Sequence, residues 1–334
     1  MKNARGRNPF RWWLPAGFAS VWRLFPVRGV GRLITFLTRP AKDRADDDAV
    51  ISYRSLSALV NFDNPPEAAI FLWRSYESDL ERVIDVVLRP GQAAIDIGAN
   101  CGVVTLAMMA AVGPEGRVVS VDPSPLACAR VQDQVALNRA DNVDVICAAL
   151  GKGETVTDYF YGRVGLGALP VFDRDLTTEA RLTTNVTTVD ALVQAAGIER
   201  LAFVKIDTDG SECFILEGAR TTLNQDRPVV ECEVFPEGLR RHGKTASEQA
   251  ELLLEAGYTL LRPRFQHASR FSAAPARVRR FEPLRVEDLP RKGVENIVAL
   301  HLDQPEHGLF LRRLTGIGEV SRWRSHVNTL RCMS

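Results

Sequence analysis

The sequence lacks the marks of several protein classes. It has no run of about 18 apolar residues, so we expect no membrane-spanning helix. Its six cysteines form no CxxC pair and have no histidine at metal-ligand spacing, which indicates reduced core thiols and no metal site. The formal net charge of +1 gives no global argument for a nucleic-acid partner. With 334 residues, 46% of them hydrophobic, the chain fits one large globular domain with appendages, or two domains.

Acidic residues are also absent from the first 42 positions. Residues 1–50 are therefore interpreted as a basic, aromatic-rich N-terminal extension, in which the nine Lys and Arg side chains of the first 42 residues are interleaved with Trp and Phe. Two interpretations stay open: peripheral contact of residues 1–45 with an anionic membrane surface, or a basic helical extension whose aromatics pack on the main domain. An apolar signal-peptide core is missing, so we expect a cytoplasmic protein, membrane-peripheral under the first interpretation.

The most informative segment is Ala94–Thr105, in which an apolar run reaches Asp96 and then breaks at two glycines. A helical pattern follows to residue 111, so the segment predicts a strand that turns into a helix around a nucleotide-like ligand. Gly98 would permit a sharp turn or a positive φ. Gly102 would lack a Cβ where the ligand and the start of the helix approach each other.

The remaining pattern alternates between strands and helices, which is typical of a parallel sheet covered on both faces. Ser124 is predicted to be the N-cap of one of these helices, and residues 210–223 are predicted to form another. Residues 51–90 are predicted to be a helical lead-in, 91–303 the main domain and 304–334 a C-terminal tail. The last two predicted strands, Tyr258–Leu261 and Val294–Leu302, have no helical pattern between them. They should pair as an antiparallel hairpin with a long basic connection.

Five local motifs together resemble the FkbM-type methyltransferases, over roughly residues 76–302. They are Tyr76-Glu77, Arg89–Gly91, Ile95–Gly102, Thr188–Leu192 and Val204–Glu212. Asp209 and Cys101 depart from that pattern, which more often has Glu and an apolar residue there. The resemblance implies a class I methyltransferase fold: an α/β, Rossmann-like sheet of order 3-2-1-4-5-7-6 with strand 7 antiparallel. It also implies S-adenosyl-L-methionine as cofactor and O-methylation of a hydroxyl of a sugar, glycan or related metabolite by direct displacement.

In this strand order the loops after strands 1 and 4 meet at one crevice. We expect Gly98, Asn100 and Gly102 near the methionine end of the cofactor, and Asp122 at both ribose hydroxyls. The other expected cofactor-binding residues are Glu77, Asp96, Ala149 and Asp207. Asp96 could instead be a structural acid satisfied by loop amides, and Asp122 a strand-end cap.

A base is expected to assist deprotonation of an alcohol acceptor. By position Asp207 is the first candidate, followed by Glu233 and Glu212. Asp207 could instead hold the cofactor's amino group or a metal. His242 is a further candidate that also suits a surface loop.

The connection between the last two strands is strongly basic. Its cations are Arg262, Arg264, Arg270, Arg277, Arg279, Arg280, Arg285, Arg291 and Lys292. This charge suggests an anionic acceptor, or merely a solvated loop, while its widely spaced aromatics do not favour nucleic acid. Two other functions stay open: an NAD-type oxidoreductase, although GxGxxG is absent from the first turn, and a non-catalytic, membrane-associated protein on a methyltransferase fold.

Overall fold

The structure is a computed structural model that describes residues 48–61, 64–161, 168–170, 180–266 and 276–316. The predicted N-terminal extension lies outside the described residues almost entirely, as do residues 317–334 of the predicted tail. Within the described ranges no helix has both the length and the apolar character needed to cross a membrane.

An eight-stranded sheet forms the centre of the molecule, in the order β13-β12-β14-β11-β10-β3-β4-β5. Its strands are β3 (Ala93–Ile97), β4 (Arg117–Val121), β5 (Val143–Ile146), β10 (Leu201–Ile206), β11 (Val229–Val234), β12 (Thr259–Gln266), β13 (Arg277–Pro283) and β14 (Glu295–Leu300). The five neighbouring strands β11, β10, β3, β4 and β5 are parallel to one another. Strand β14 runs antiparallel to both β11 and β12. The predicted order 3-2-1-4-5-7-6 is confirmed, and β13 adds an outer strand that the sequence did not predict.

The parallel strands are apolar because helices cover both faces of the sheet. One face carries α1 (Pro65–Trp73), α2 (Ser78–Val87), α3 (Val103–Val112) and α10 (Pro305–Thr315). The other carries α5 (Val189–Ala195), α6 (Glu212–Glu217), α7 (Arg220–Gln225) and α9 (Ala246–Glu255). The remaining helices are α4 (Pro125–Leu137), which begins at the predicted Ser124 N-cap, and α8 (Pro236–Arg241).

The helical lead-in prediction is wrong for its first ten residues. An antiparallel hairpin, β1 (Ala49–Tyr53) and β2 (Leu56–Val60), precedes α1 and α2. Side chains of α4 complete the edge of β2, because Gln134 accepts from the N–H of Leu59 at 2.8 Å and Asn138 from that of Ser57 at 2.9 Å. This pairing is tertiary and leaves no local signal in the sequence.

Three further differences come from contacts distant in the chain. A second sheet, in the order β6-β9-β7-β8, consists of β6 (Ala149–Leu150), β9 (Ala180–Thr187), β7 (Thr155–Tyr161) and β8 (Ala168–Pro170). The single helix expected over residues 210–223 is split into α6 and α7, since the Asp190 carboxylate accepts from the N–H groups of Thr221 and Thr222 and caps a new helix start. Residues 305–315 of the predicted tail form α10, which packs on α2 and β13.

Candidate functional site

Polar side chains replace apolar ones where four neighbouring strands approach their carboxyl ends. Residues two apart share a face of the sheet, so each polar residue lies beyond an apolar one on the face that carries α1 to α3. The successive pairs are Val118 and Ser120, Ala94 and Asp96, Phe203 and Lys205, and Val229 and Glu231. The register aligns Ser120, Asp96, Lys205 and Glu231 side by side. All four are buried, so this row carries charge inside the sheet.

Lys205 joins the parts of this row to the loops above it. Its Nζ donates to the carbonyl oxygen of Gly98 at 3.0 Å and lies 3.1 Å from Oδ2 of Asp207 and 3.7 Å from Oδ1 of Asp96. Burial acts to lower the pKa of Lys205, but the surrounding carboxylates outweigh it and raise that pKa well above the ordinary value. Lys205 is therefore a permanent ammonium that holds two loops and two acids together.

Sequence reasoning gave no role to Lys205 or Glu231. A signal was present, because Lys205 is the one charged residue of an otherwise apolar strand and Glu231 is flanked by apolar residues on both sides. Burial and the neighbouring carboxylates raise the pKa of Glu231 well above its ordinary range. Its surroundings therefore favour the protonated, uncharged form of this buried acid.

The loops after β3 and β10 touch at Gly98. A Cβ on Gly98, whose φ is +79°, would lie 1.8 Å from the carbonyl oxygen of Asp207. Gly102 also has a left-handed φ of +78°, but its closest neighbour is the Val131 side chain of α4, 3.2 Å from an added Cβ. The expected close approach of a ligand to Gly102 is thus replaced by helix packing, and the tight contact lies at Gly98.

A cavity opens above this contact, where the strand order reverses between β3 and β10; we call it the switch-point cavity. The residues that line it include Tyr76, Gly98, Asn100, Asp122, Pro123, Ala149, Lys205, Asp207, Thr208 and Asp209. Gly98, Asn100, Asp122, Ala149 and Asp207 were all expected to bind the cofactor, and the fold brings them together. No group of three or more His, Cys, Asp or Glu side chains is arranged to hold a metal ion in the ranges that the structure describes.

The Asp122 carboxylate accepts hydrogen bonds from two loops at the rim of the cavity. Its Oδ2 accepts from the N–H of Asn100 at 2.9 Å and its Oδ1 from that of Ser124 at 2.8 Å. Burial raises the pKa of Asp122 to about 6. Both interpretations of this acid therefore apply to its geometry: it caps the loop, and each oxygen keeps a second lone pair for a ligand hydroxyl.

The amides of the Gly98 loop are already engaged within the protein. Those of Gly98 and Ala99 donate to the carbonyl oxygen of Val121, and that of Gly102 donates to Ala99. Asn100 is different, since its buried Oδ1 finds no hydrogen-bond partner among the described residues. An unsatisfied acceptor at the cavity wall fits a ligand that brings a donor, as the ammonium of an amino acid would.

Five of the expected site residues do not line the switch-point cavity, and two of them, Glu77 and Glu233, are described below. Asp96 is fully buried, and its Oδ2 accepts from the hydroxyl of Thr105 at 2.7 Å, so it is a structural acid held by a helix side chain and Lys205 instead of the expected loop amides. Glu212 is also fully buried, and its Oε1 accepts from the N–H groups of Thr208 and Gly210, so it shapes the loop after β10. Gly102 is the fifth.

Asp207 and Glu233 differ in charge. The Asp207 side chain is 34% exposed and reaches the cavity with its carboxylate held by Lys205. Glu233 lies two residues beyond Glu231 on β11, and its Oε2 is buried with no partner in the described part of the chain. Burial, then Asp207, raises the pKa of Glu233 to about 9, so it is protonated at neutral pH. Of these two acids, only Asp207 is placed to accept a proton.

Glu77 and Tyr76 form the wall between this cavity and a second one. Tyr76 lines both cavities, whereas Glu77, whose φ is +50°, lines the second only. Burial raises the pKa of Glu77 to about 7, against the lowering effect of Lys205. His242 ends α8 and packs edge-on against Phe214, away from both cavities.

Part of the basic connection is paired with neighbouring acids. Arg264 and Arg280 both pair with Glu282, and Arg262 pairs with Glu295. Residues 277–283 form β13 along the edge of the sheet, so this part of the connection is a strand. Arg270 lies outside the described residues.

Comparison with known proteins assigns the domain. Residues 96–260 match the family model described as the methyltransferase FkbM domain. No curated protein matches the chain. Among solved structures the chain is similar to a methyltransferase FkbM from Methylobacillus flagellatus KT, at 14% identity and a TM-score of 0.38, over 70% of this chain and 52% of that one.

Two other solved structures are similar at the same level. Fibrillarin from Aeropyrum pernix, in complex with natively bound S-adenosyl-L-methionine, is 13% identical with a TM-score of 0.38, over 77% of this chain and 84% of that one. A precorrin-6y C5,15-methyltransferase from Geobacter metallireducens GS-15 is 13% identical with a TM-score of 0.35, over 66% and 86%. The match covers most of the segments that build the switch-point cavity, and it identifies residues 96–260 as a methyltransferase FkbM domain.

Proposed function

We propose that the chain is an S-adenosylmethionine-dependent O-methyltransferase that acts on a hydroxyl of a sugar, glycan or related metabolite. The observation that carries this proposal is the Asp207 carboxylate. It lines the switch-point cavity, is one-third exposed and is fixed by Lys205 at 3.1 Å. A carboxylate held in this way can accept the proton that an alcohol loses as it attacks.

The cavity residues suit the parts of the cofactor. Asp122 offers acceptor lone pairs to the ribose hydroxyls, and the unsatisfied Oδ1 of Asn100 offers one to the ammonium. Pro123 and Ala149 supply apolar contact for the adenine. When bound, S-adenosylmethionine supplies a methyl group that is already activated on sulfur.

The protein then has to align the reactants and exclude water. Such alignment accounts for roughly 7 to 11 kcal/mol of a barrier in favourable cases. Lys205 contributes by fixing the Gly98 loop and Asp207 in one arrangement. Glu212 contributes by holding the loop that carries Thr208 and Gly210.

Calorimetry with S-adenosylhomocysteine and with NAD tests the cofactor. Binding of NAD without binding of S-adenosylhomocysteine would overturn the proposal in favour of the oxidoreductase. Incubation of the full chain with labelled S-adenosylmethionine and fractionated host extract tests turnover. Label in a methyl ether of a hydroxylated metabolite supports O-methylation, and label on nitrogen or carbon would refute it.

A further inference from the structure

We infer that the methyl acceptor binds in the second cavity and is an uncharged, hydroxyl-bearing ring, such as a neutral sugar. This inference rests on the proposed function, because it assigns the acceptor of that reaction. The second cavity, called here the outer cavity, lies between the α1–α2 turn and the outer strands of the sheet. Its walls include Trp73, Tyr76, Glu77, Arg264, Phe265 and Asn296.

The outer cavity adjoins the switch-point cavity. Tyr76 lines both, so one side chain separates the two spaces. The strand register gives a second link: Glu231 pairs with Lys205, and Glu233 pairs with Asn296 of β14. Asp207, just past the end of β10, and Glu233 on β11 each lie two residues beyond Lys205 and Glu231. Asp207, Glu233 and Asn296 thus form a row across the sheet, of which Asp207 lines the switch-point cavity and Asn296 the outer cavity.

This row places suitable groups along the path of a hydroxyl. Asp207 is the acceptor for its proton, and Glu233, protonated at neutral pH, can donate to a second oxygen. A ring seated in the outer cavity would therefore present an edge hydroxyl toward Asp207. We assign Glu233 to this path because its buried Oε2 has no hydrogen-bond partner among the described residues.

The outer cavity also has an apolar wall. Phe265 is 42% exposed and Val294 is 59% exposed, both large apolar side chains at its edge, and Trp73 is half-buried beside them. Apolar side chains exposed in a concave site mark a surface that a ligand covers. The C–H face of a sugar ring is apolar and suits aromatic side chains, while its hydroxyls need the acids and the amide on the other wall.

The acids that line the outer cavity favour a neutral acceptor over an anionic one. Arg264, the arginine in its wall, is already bound through Nε to Glu282 at 2.7 Å, which weakens its attraction for an anion. Glu295 is bound to Arg262 through two hydrogen bonds, and Asp79 accepts from Asn296 at 3.4 Å. An incoming anion would also face Glu77 and Asp79. The pairing of Arg262 and Arg264 thus weakens the case for the anionic acceptor that composition suggested.

A charge-matched panel of acceptors tests the class. The full chain would be incubated with labelled S-adenosylmethionine and methyl hexosides, each compared with its 6-phosphate, its uronate and its 2-amino analogue. We expect label in neutral rings at least about ten-fold above their charged counterparts, because burying a charge beside paired ions is costly. Preference for any charged member overturns the inference.

Two variants test the location. Trp73→Ala and Phe265→Ala should each lower transfer at limiting acceptor by about ten-fold or more, the loss expected for an aromatic anchor, with the Kd for S-adenosylhomocysteine unchanged. Leu309→Ala, which removes a 46% exposed apolar side chain from α10, should change neither. Unchanged methyl transfer by Phe265→Ala overturns the location. The location is also overturned if the natural chain binds S-adenosylhomocysteine but labels no sugar of the panel. Failure to bind S-adenosylhomocysteine would instead overturn the proposed function.

Discussion

Gly98 and Asp207 touch through their backbones, so closely that a Cβ on Gly98 would overlap the Asp207 carbonyl oxygen at 1.8 Å. The N–H of Asp207 donates to the carbonyl oxygen of Ile97 at 3.1 Å. The Nζ of Lys205 donates to the carbonyl oxygen of Gly98, which lies 107 residues away in the sequence. The loops after β3 and β10, which form the switch-point cavity, are therefore held rigidly against each other. A disturbance of either loop should reach the cofactor and the candidate base together.

Gly98→Ala should destabilise the fold more than Gly91→Ala. Both glycines have φ near +80°, but a Cβ at Gly91 meets nothing within 4 Å. Gly91→Ala should lower the free energy of unfolding by about 1 to 2 kcal/mol, which is the cost of a left-handed φ in a residue with a Cβ. Gly98→Ala adds a backbone overlap and should lower the free energy of unfolding by at least about 2 kcal/mol more. Urea denaturation measures both, and equal losses would contradict the contact.

Removal of the Lys205 ammonium should leave Asp96 buried without its counter-charge. Lys205→Met is expected to cost about 3 to 5 kcal/mol in the free energy of unfolding, as for other broken buried pairs. Adding Asp96→Asn should restore a large part, because it removes the uncompensated charge. Arg264→Gln, at a pair in which the arginine is 52% exposed, should cost less than about 1 kcal/mol. A double variant no more stable than Lys205→Met would refute the coupling.

Asp122→Asn should weaken the binding of S-adenosylhomocysteine by about 10- to 100-fold, the loss of a charge-assisted hydrogen bond. The matched control is Asp144→Asn on the neighbouring strand, whose carboxylate pairs with Arg117. Calorimetry should show the same affinity for that variant as for the natural sequence. If both variants bind equally well, Asp122 is only a loop cap.

Asp207→Asn should lower turnover by about 10² to 10⁴-fold at saturating cofactor if Asp207 is the base. Asp209→Asn removes a second carboxylate from the same cavity and should retain most of the activity. Transfer of label from S-adenosylmethionine to the active extract fraction measures both. Near-normal turnover of Asp207→Asn would exclude it as base.

The stability of the protein should fall as the pH rises through the neutral range, partly because of Glu233. Burial raises its pKa from 4.5 to about 9, so the folded state holds a proton that the unfolded state releases. Its contribution is complete below pH 4.5 and is lost as the pH rises toward 9, with a slope of up to about 1.4 kcal/mol per pH unit.

Glu233→Gln should flatten this dependence. Urea denaturation between pH 6 and pH 8.5 would compare the two slopes, within the window set by the ordinary and raised pKa of Glu233. Other titrating groups contribute equally to both proteins. Parallel curves would show that Glu233 titrates normally in the fold.

Much of the fold could be predicted because its signals are local. The glycines of the β3–α3 turn, the Ser124 N-cap and the alternation of strands and helices specify the parallel sheet. The β1–β2 hairpin and the split between α6 and α7 could not be predicted, since side chains distant in sequence satisfy their backbones.

The site divides in a similar way. Gly98, Asn100, Asp122, Ala149 and Asp207 were identified from strand ends and do line one cavity. Glu212 and Asp96 share the same motifs but are fully buried. Motif membership predicts proximity to a site, whereas only the packing of the surrounding elements determines which side chains face the cavity.

The sequence by itself determined the strand order, the switch-point cavity and the family, because these depend on patterns within short segments. Tertiary structure alone decided the electrostatics. It placed Lys205 between Asp96 and Asp207 and paired the arginines of the basic connection with Glu282 and Glu295. Charge interactions act through space, over partners far apart in the chain, so composition counted the charges and only the fold could assign their partners.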